Sequence, residues 1–249
     1  MKVNQTVRII PTLKVNNRNI NEVFYVKTLG MKPLLEESAF LSLGDQSGLE
    51  KLVLEESPSM RTRKVEGTKK LAKLIVKVKN PSEIEALLAR METLPKLFKG
   101  KKGYAFEIHS PQDHLILLHA EDDVNELKKL EEEVNFSKND GMIYLSEFEI
   151  STEIHLPKQI KSLLEDVEAD KKLIFKQGQG EDLLVENSLT WDLSMLKFQV
   201  EKFDIPSLCQ KFESVGYFVP KSEKFFLTTD TNNIELWFEE VWNKKSFKK

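Results

Sequence analysis

The chain has 249 residues, 40% hydrophobic and 31% charged, which excludes a collagen-like, low-complexity or wholly disordered polymer. The formal net charge of −3 lacks the electrostatic footprint of a nucleic-acid binder. No run of about 18 apolar residues exists to span a membrane as a helix, and the single Cys209 excludes an internal disulfide and a thiolate-rich metal site.

Residues 7–15 (VRIIPTLKV) alternate as a strand. Ile20, Val23, Phe24 and Val26 then fall near helical spacing, and Gly30 is suited to end that helix in a left-handed conformation. Strand-like runs follow at 32–40, 41–45 and 50–56, with Asp45-Gln46-Ser47-Gly48 as the turn between the last two. The order strand, helix, three strands then returns. Residues 71–79 alternate, and Asn80-Pro81-Ser82 opens a helix that carries Ile84, Leu87 and Leu88 on one face. Strands begin at Phe98, 104 and 114, the last two joined by Ser110-Pro111-Gln112-Asp113. Residues 7–56 and 71–120 therefore read as two copies of one module.

Val124, Leu127, Leu130 and Val134 form an apolar helical stripe, followed by a polar turn at 137–141. This divides the chain into an N-terminal domain (1–122), a helical linker (123–141) and a C-terminal domain (142–249). In the second half, 142–156 is strand-like and a helix runs from Pro157 to about 167. Two strands flank Gly178-Gln179-Gly180, and 188–203 alternates. A helix at 206–215 precedes strands at 217–219, 224–229 and 234–241. These are two more modules, the third one strand short. The lysine-rich tail at 244–249 reads as a solvated end.

Paired strand–helix–three-strand modules resemble the vicinal oxygen chelate superfamily, the fold of glyoxalase and fosfomycin-resistance proteins. The residues that carry this are Val15, Phe24-Tyr25, Leu29-Gly30 and the hairpin Ser110-Pro111-Gln112-Asp113-His114-Leu115. Thr228 to Leu236 looks like a degraded second hairpin. The resemblance implies an α+β fold of two glyoxalase-like domains, each built from paired βαβββ modules that form a curved, half-open barrel sheet. A closer similarity, to the CppA family of streptococci and related bacteria, lies in residues 52–63, in 65–72 and in Leu145-Ser146-Glu147-Phe148-Glu149-Ile150. That resemblance implies a proteinase that degrades complement component three, with a host complement protein as partner.

In superfamily enzymes a divalent metal is held inside the barrel by histidine, glutamine and glutamate. By register, the resemblance places the ligand positions at Ile10, Lys73, Leu117, Leu145, Met195 and Glu235. Hydrocarbon cannot coordinate and a charged ammonium has no lone pair, so no metal or other cofactor is expected. His109, His114 and His119 are spaced so as to separate rather than cluster, and His155 is expected to be exposed.

Protease machinery is not recognisable either. His-Glu-x-x-His and Gly-x-Ser-x-Gly are missing, Asp230-Thr231 is followed by Asn232, and Cys209 lies mid-helix as a structural thiol. Catalytic residues are thus unknown. The inward face of the second barrel is expected to carry Glu147, Glu149, Lys197, Gln199, Glu235 and Trp237 as a small-molecule pocket. Phe148, Ile150, Phe198, Val200, Leu236 and Phe238 alternate with them toward the helices. Trp191 and Trp242 are read as packing residues. Two functions stay open: the proteinase, and a metal-free binding or interaction module. With one cysteine and no visible secretory leader, the expected setting is cytoplasmic, and surface exposure would need non-classical export.

Overall fold

The computed structural model describes residues 4–132, 134–138, 141–158, 162–166 and 172–241. Strand β1 (Gln5–Val15) directs Ile9, Leu13 and Val15 into the core. Its period of two leaves Arg8, Ile10, Thr12 and Lys14 on the opposite face. Helix α1 (Arg18–Val23) is capped by Asn17, whose Oδ1 accepts from the Ile20 N–H at 3.0 Å. It widens into a π turn over Phe24–Thr28 and ends at Gly30, where φ is +68°. A Cβ there would also meet the Ile143 carbonyl oxygen at 3.2 Å and Leu145 Cγ at 3.3 Å. Only glycine satisfies both the left-handed backbone and that close approach.

Strands β2 (Lys32–Glu37), β3 (Phe40–Gly44) and β4 (Glu50–Glu56) complete the first module. The second contains β5 (Leu71–Val78), helix α2 (Ser82–Leu88), β6 (Lys96–Lys99), β7 (Tyr104–His109) and β8 (Leu115–His119). Beyond them lie β9 (Lys128–Lys129), β10 (Phe148–Pro157) and β11 (Leu173–Gly178). The last module has β12 (Leu193–Glu201), helix α3 (Ile205–Lys211), β13 (Tyr217–Phe218), β14 (Phe225–Thr229) and β15 (Glu235–Glu240).

These strands form two open sheets. The eight-stranded sheet has the order β13-β14-β15-β12-β1-β4-β3-β2, and the seven-stranded sheet β11-β10-β5-β8-β7-β6-β9. Both follow one plan: the first strands of two modules pair antiparallel at the centre, and each pairs parallel with its own module's last strand. Thus β1 meets β12 in register Ile9↔Phe198 and Pro11↔Leu196, and β4 on its other side. Strand β5 meets β10 in register Val76↔Ile150, and β8 on its other side.

The modules are joined first to fourth and second to third. Consecutive pairing of the third and fourth modules into one cup, expected from chain order, is therefore corrected. Periodicity within a strand specifies its faces, not its distant partner. The inner faces of both sheets and the helices share one hydrophobic cluster that includes Leu13, Tyr25, Phe106, Phe148, Phe198 and Phe226.

Three local expectations change. The segment after residue 122 is not a helix. Asp123 caps a single 3-10 turn at Val124–Glu126, and Lys128 and Lys129 pair with Lys99 and Phe98. The open edge of β6 offers this segment backbone partners that an isolated, highly charged helix lacks. The helix expected at 157–167 falls partly outside the described residues, and Leu163–Asp166 form a 3-10 turn. The second strand expected after Gly180 is a 3-10 turn, Glu181–Leu184. No helix among the described residues is long and apolar enough to cross a membrane.

Asp192 ties the sheets together. Its buried carboxylate accepts from the backbone N–H of Lys70 at 2.6 Å, Leu71 at 3.1 Å and Leu193 at 2.8 Å. Its own carbonyl accepts from the Lys14 N–H at 2.9 Å. Burial still pushes its pKa up, against the pull of those three amides. Asp192→Ala would strand three buried donors, each costing about 1–3 kcal/mol. A loss of more than about 3 kcal/mol in urea unfolding is expected, and a loss under about 1 kcal/mol would refute the tie.

Candidate functional site

The face of the eight-stranded sheet turned away from the core forms a groove of about 400 Å³. Alternation builds it. On β12 and β15, Leu196, Phe198, Leu236 and Phe238 are buried in the core. The residues between them, Met195, Lys197, Trp237 and Glu239, line the groove. Thr12, Glu50 and Val53 add the floor from β1 and β4, and Leu35, Glu37, Phe40 and Ser42 the far wall from β2 and β3.

A hydrogen-bond chain orders the polar groups. Arg8 Nη1 donates to Gln199 Oε1 at 2.8 Å, and Gln199 Nε2 to Glu239 Oε1 at 3.0 Å. Trp237 Nε1 donates to the other oxygen of Glu239 at 2.9 Å. Across the groove, Glu50 accepts from Lys197 at 2.9 Å and from Ser42 at 2.6 Å. Phe225 stacks on the Trp237 indole, with centroids 3.8 Å apart and planes within 16°. Burial lowers the Arg8 pKa, against the attraction of Asp45 and Glu50. Glu235 is the first residue of β15, its pKa raised by burial and then by the charge of Glu55, against Lys14.

Four of the six expected pocket residues belong to this region. Lys197 and Trp237 line the groove, Gln199 holds its chain together, and Glu235 begins the same strand face. Glu147 and Glu149 do not. Glu149 lies on β10, which pairs with β5 in the seven-stranded sheet, and Glu147 immediately precedes that strand, so the expected common face is corrected. Glu147 is exposed and pairs with Lys79 at 2.7 Å, and Glu149 is in register with Lys77. Sequence reading missed Glu239, Glu50 and Arg8. Glu239 simply continues the alternation from Glu235 and Trp237, whereas Glu50 and Arg8 needed the cross-half pairing.

The expected metal positions do not fit a metal. Met195 lines the groove with its thioether, Ile10 and Leu117 are buried hydrocarbon, and Lys73 is ion-paired with Glu107 at 2.7 Å. Leu145 precedes β10 altogether, packed against Gly30. Among the described residues no group of three histidine, cysteine, aspartate or glutamate side chains could hold a metal ion.

The histidines are dispersed. His109 is exposed and faces Asp113 at 2.8 Å, while His114 and His119 are buried. His155 is half-buried rather than exposed, its Nδ1 2.8 Å from the Lys69 carbonyl oxygen. Cys209 is a free, partly buried thiol on α3. Trp191 donates to the Ser57 carbonyl at 2.9 Å, and Trp242 lies outside the described residues.

The paired modules and open sheets define a protein of the glyoxalase fold class. A putative dioxygenase from Bacillus subtilis is similar at 13% identity and TM-score 0.59, over 96% of this chain and 86% of that one. A glyoxalase I mutant from Zea mays is similar at 10% identity and TM-score 0.51, over 95% and 94%. At such identities the likeness concerns the fold alone.

The chain belongs to the CppA family: the CppA N-terminal model matches residues 8–130 and the CppA C-terminal model residues 145–238. The crystal structure of the cppA protein from Streptococcus pneumoniae is 65% identical with TM-score 0.92, covering 96% of this chain and 100% of that one. No curated protein matches the chain.

Proposed function

We propose that the chain is a binding module whose groove on the eight-stranded sheet takes a small organic ligand without metal-assisted chemistry. The observation that carries this is the ordered chain Arg8–Gln199–Glu239–Trp237 beside an apolar cavity of about 400 Å³. Cavities of this size with apolar walls and a few fixed polar groups are the usual form of small-molecule sites. Metal-type positions filled by Ile10 and Met195 support binding without Lewis-acid chemistry. A fragment screen by thermal shift, with Trp237→Ala as counter-screen, tests it. Hits that stabilise the parent chain are expected to lose about tenfold or more in affinity in the variant. Hits that bind both proteins equally would place the site elsewhere and overturn the reading.

The resemblance also implies cleavage of complement component three, and family membership alone supports that second reading. Among the described residues no serine, threonine or cysteine side chain hydrogen-bonds a histidine ring, the arrangement that activates such nucleophiles. Purified protein incubated with complement component three is expected to leave it intact on a denaturing gel. Defined fragments resistant to inhibitors of contaminating proteases, and lost on removing this chain, would reverse that expectation.

A further inference from the structure

We infer that the groove selects an organic cation: an ammonium or amidinium group carried on a flat apolar body. This rests on the binding reading of the same groove and adds the ligand's charge to it. Three carboxylates, Glu37, Glu50 and Glu239, line the cavity against one lining cation, Lys197, with Arg8 behind Gln199 as the second cation nearby, so negative charge is in excess. Lys197 is already engaged by Glu50 at 2.9 Å. Glu239 is held differently, by two neutral donors, Gln199 Nε2 at 3.0 Å and Trp237 Nε1 at 2.9 Å. Gln199 cannot turn its amide around, because its Oε1 accepts from Arg8 at 2.8 Å. The chain therefore fixes a carboxylate beside the indole with neutral groups as its immediate partners. Glu37, on the exposed rim of β2, adds a second negative charge.

The aromatic side agrees with this. Phe225 covers one face of Trp237 at 3.8 Å, and the Nε1 hydrogen bond pins the ring's edge, so the indole is a fixed wall. A cation placed over the indole face that Phe225 leaves uncovered, beside the carboxylate at the ring's edge, gains from both the ring's negative face and the full charge. Its apolar body would lie along Leu35, Phe40, Val53 and Met195. A neutral ligand keeps only the apolar contacts, and an anion meets two carboxylates that no lysine neutralises.

Three probes of one size separate these cases: phenethylammonium, phenethyl alcohol and phenylacetate, titrated into the full chain at fixed ionic strength. The readout is the NMR shift of the Trp237 indole N–H, assigned with Trp237→Phe. The ammonium is expected to saturate at about tenfold lower concentration than the alcohol, with phenylacetate weakest. Glu239→Gln and, separately, the exposed Glu37→Gln should each narrow the gap between ammonium and alcohol. The second variant tests the charge even where the first loosens the groove. Alcohol or phenylacetate binding as tightly as the ammonium would overturn the cation preference while leaving the groove as a site. A signal that none of the three moves would overturn both.

Discussion

Expressed alone, residues 1–138 will not give a cooperatively folded protein, although they contain a full family-model match and two complete modules. The cause is the position of the break in the sheets. Strand β1 sits between β4 and β12, and β5 between β8 and β10. Removing the second half converts both central strands into bare edges and uncovers Leu13, Val76 and their neighbours in the shared core. Edge strands with exposed backbone and apolar side chains template association. The fragment is expected to bind a hydrophobic dye, to show no sigmoidal urea transition and to sediment as aggregates. Residues 141–249 should behave likewise. Co-expression of the two is expected to recover a one-to-one complex that unfolds in a single step near the midpoint of the intact chain. Two fragments that each unfold cooperatively would mean that the halves are independent domains and that the β1–β12 and β5–β10 ladders contribute little.

That interleaving also explains what could be read from the sequence. The alternation Lys197-Phe198-Gln199-Val200 and Glu235-Leu236-Trp237-Phe238 fixes which side chains leave the core, and both strands carry them where expected. Gly30 and the turn at Asp45–Gly48 were legible because they depend on local backbone chemistry. Glu149, with Glu147 just before its strand, has the same local pattern but lies on the other sheet, because nothing within β10 encodes its choice of β5 over β12. The stripe at Val124, Leu127 and Leu130 is a genuine helical period. It yields to a stronger local opportunity, a free edge on β6, where the Leu130 N–H donates to the Leu97 carbonyl at 3.0 Å. Fold class follows from the order of elements, whereas the composition of a site depends on which strands meet.

Lowering the pH from 7.5 to 4.5 should destabilise the protein through His119, and His119→Leu should remove that part of the dependence. His119 is 2% exposed, and among the described residues neither ring nitrogen has a hydrogen-bond partner. Burial, and then the nearby charge of Lys77, lower its pKa to about 4. The unfolded chain has an ordinary imidazole, near 6.5. Between those values the unfolded state binds a proton that the folded state refuses, so stability is full above about 6.5 and falls as pH drops toward 4. At about 1.4 kcal/mol per pH unit, the two units down to 4.5 correspond to about 2–3 kcal/mol. That is a large part of the roughly 5–15 kcal/mol that holds a typical domain.

His114 is fully buried beside Lys69, its pKa also lowered by burial and then by that lysine, and it adds to the same slope. Asp192 and Glu235, with raised pKa values, act in the opposite sense, because the folded state takes up their protons first. Asp45, Asp122, Asp182 and Glu107, held low, lose their contribution only at more acid pH, as the unfolded chain's carboxylates protonate. Comparing parent and variant cancels these common effects. Unfolding free energies from urea titrations of parent and variant should agree to within about 1 kcal/mol at pH 7.5 for a volume-matched substitution. At pH 4.5 the parent should have lost about 2–3 kcal/mol more than His119→Leu. Equal losses in the two proteins would mean that His119 accepts its proton in the folded state as readily as in the unfolded one.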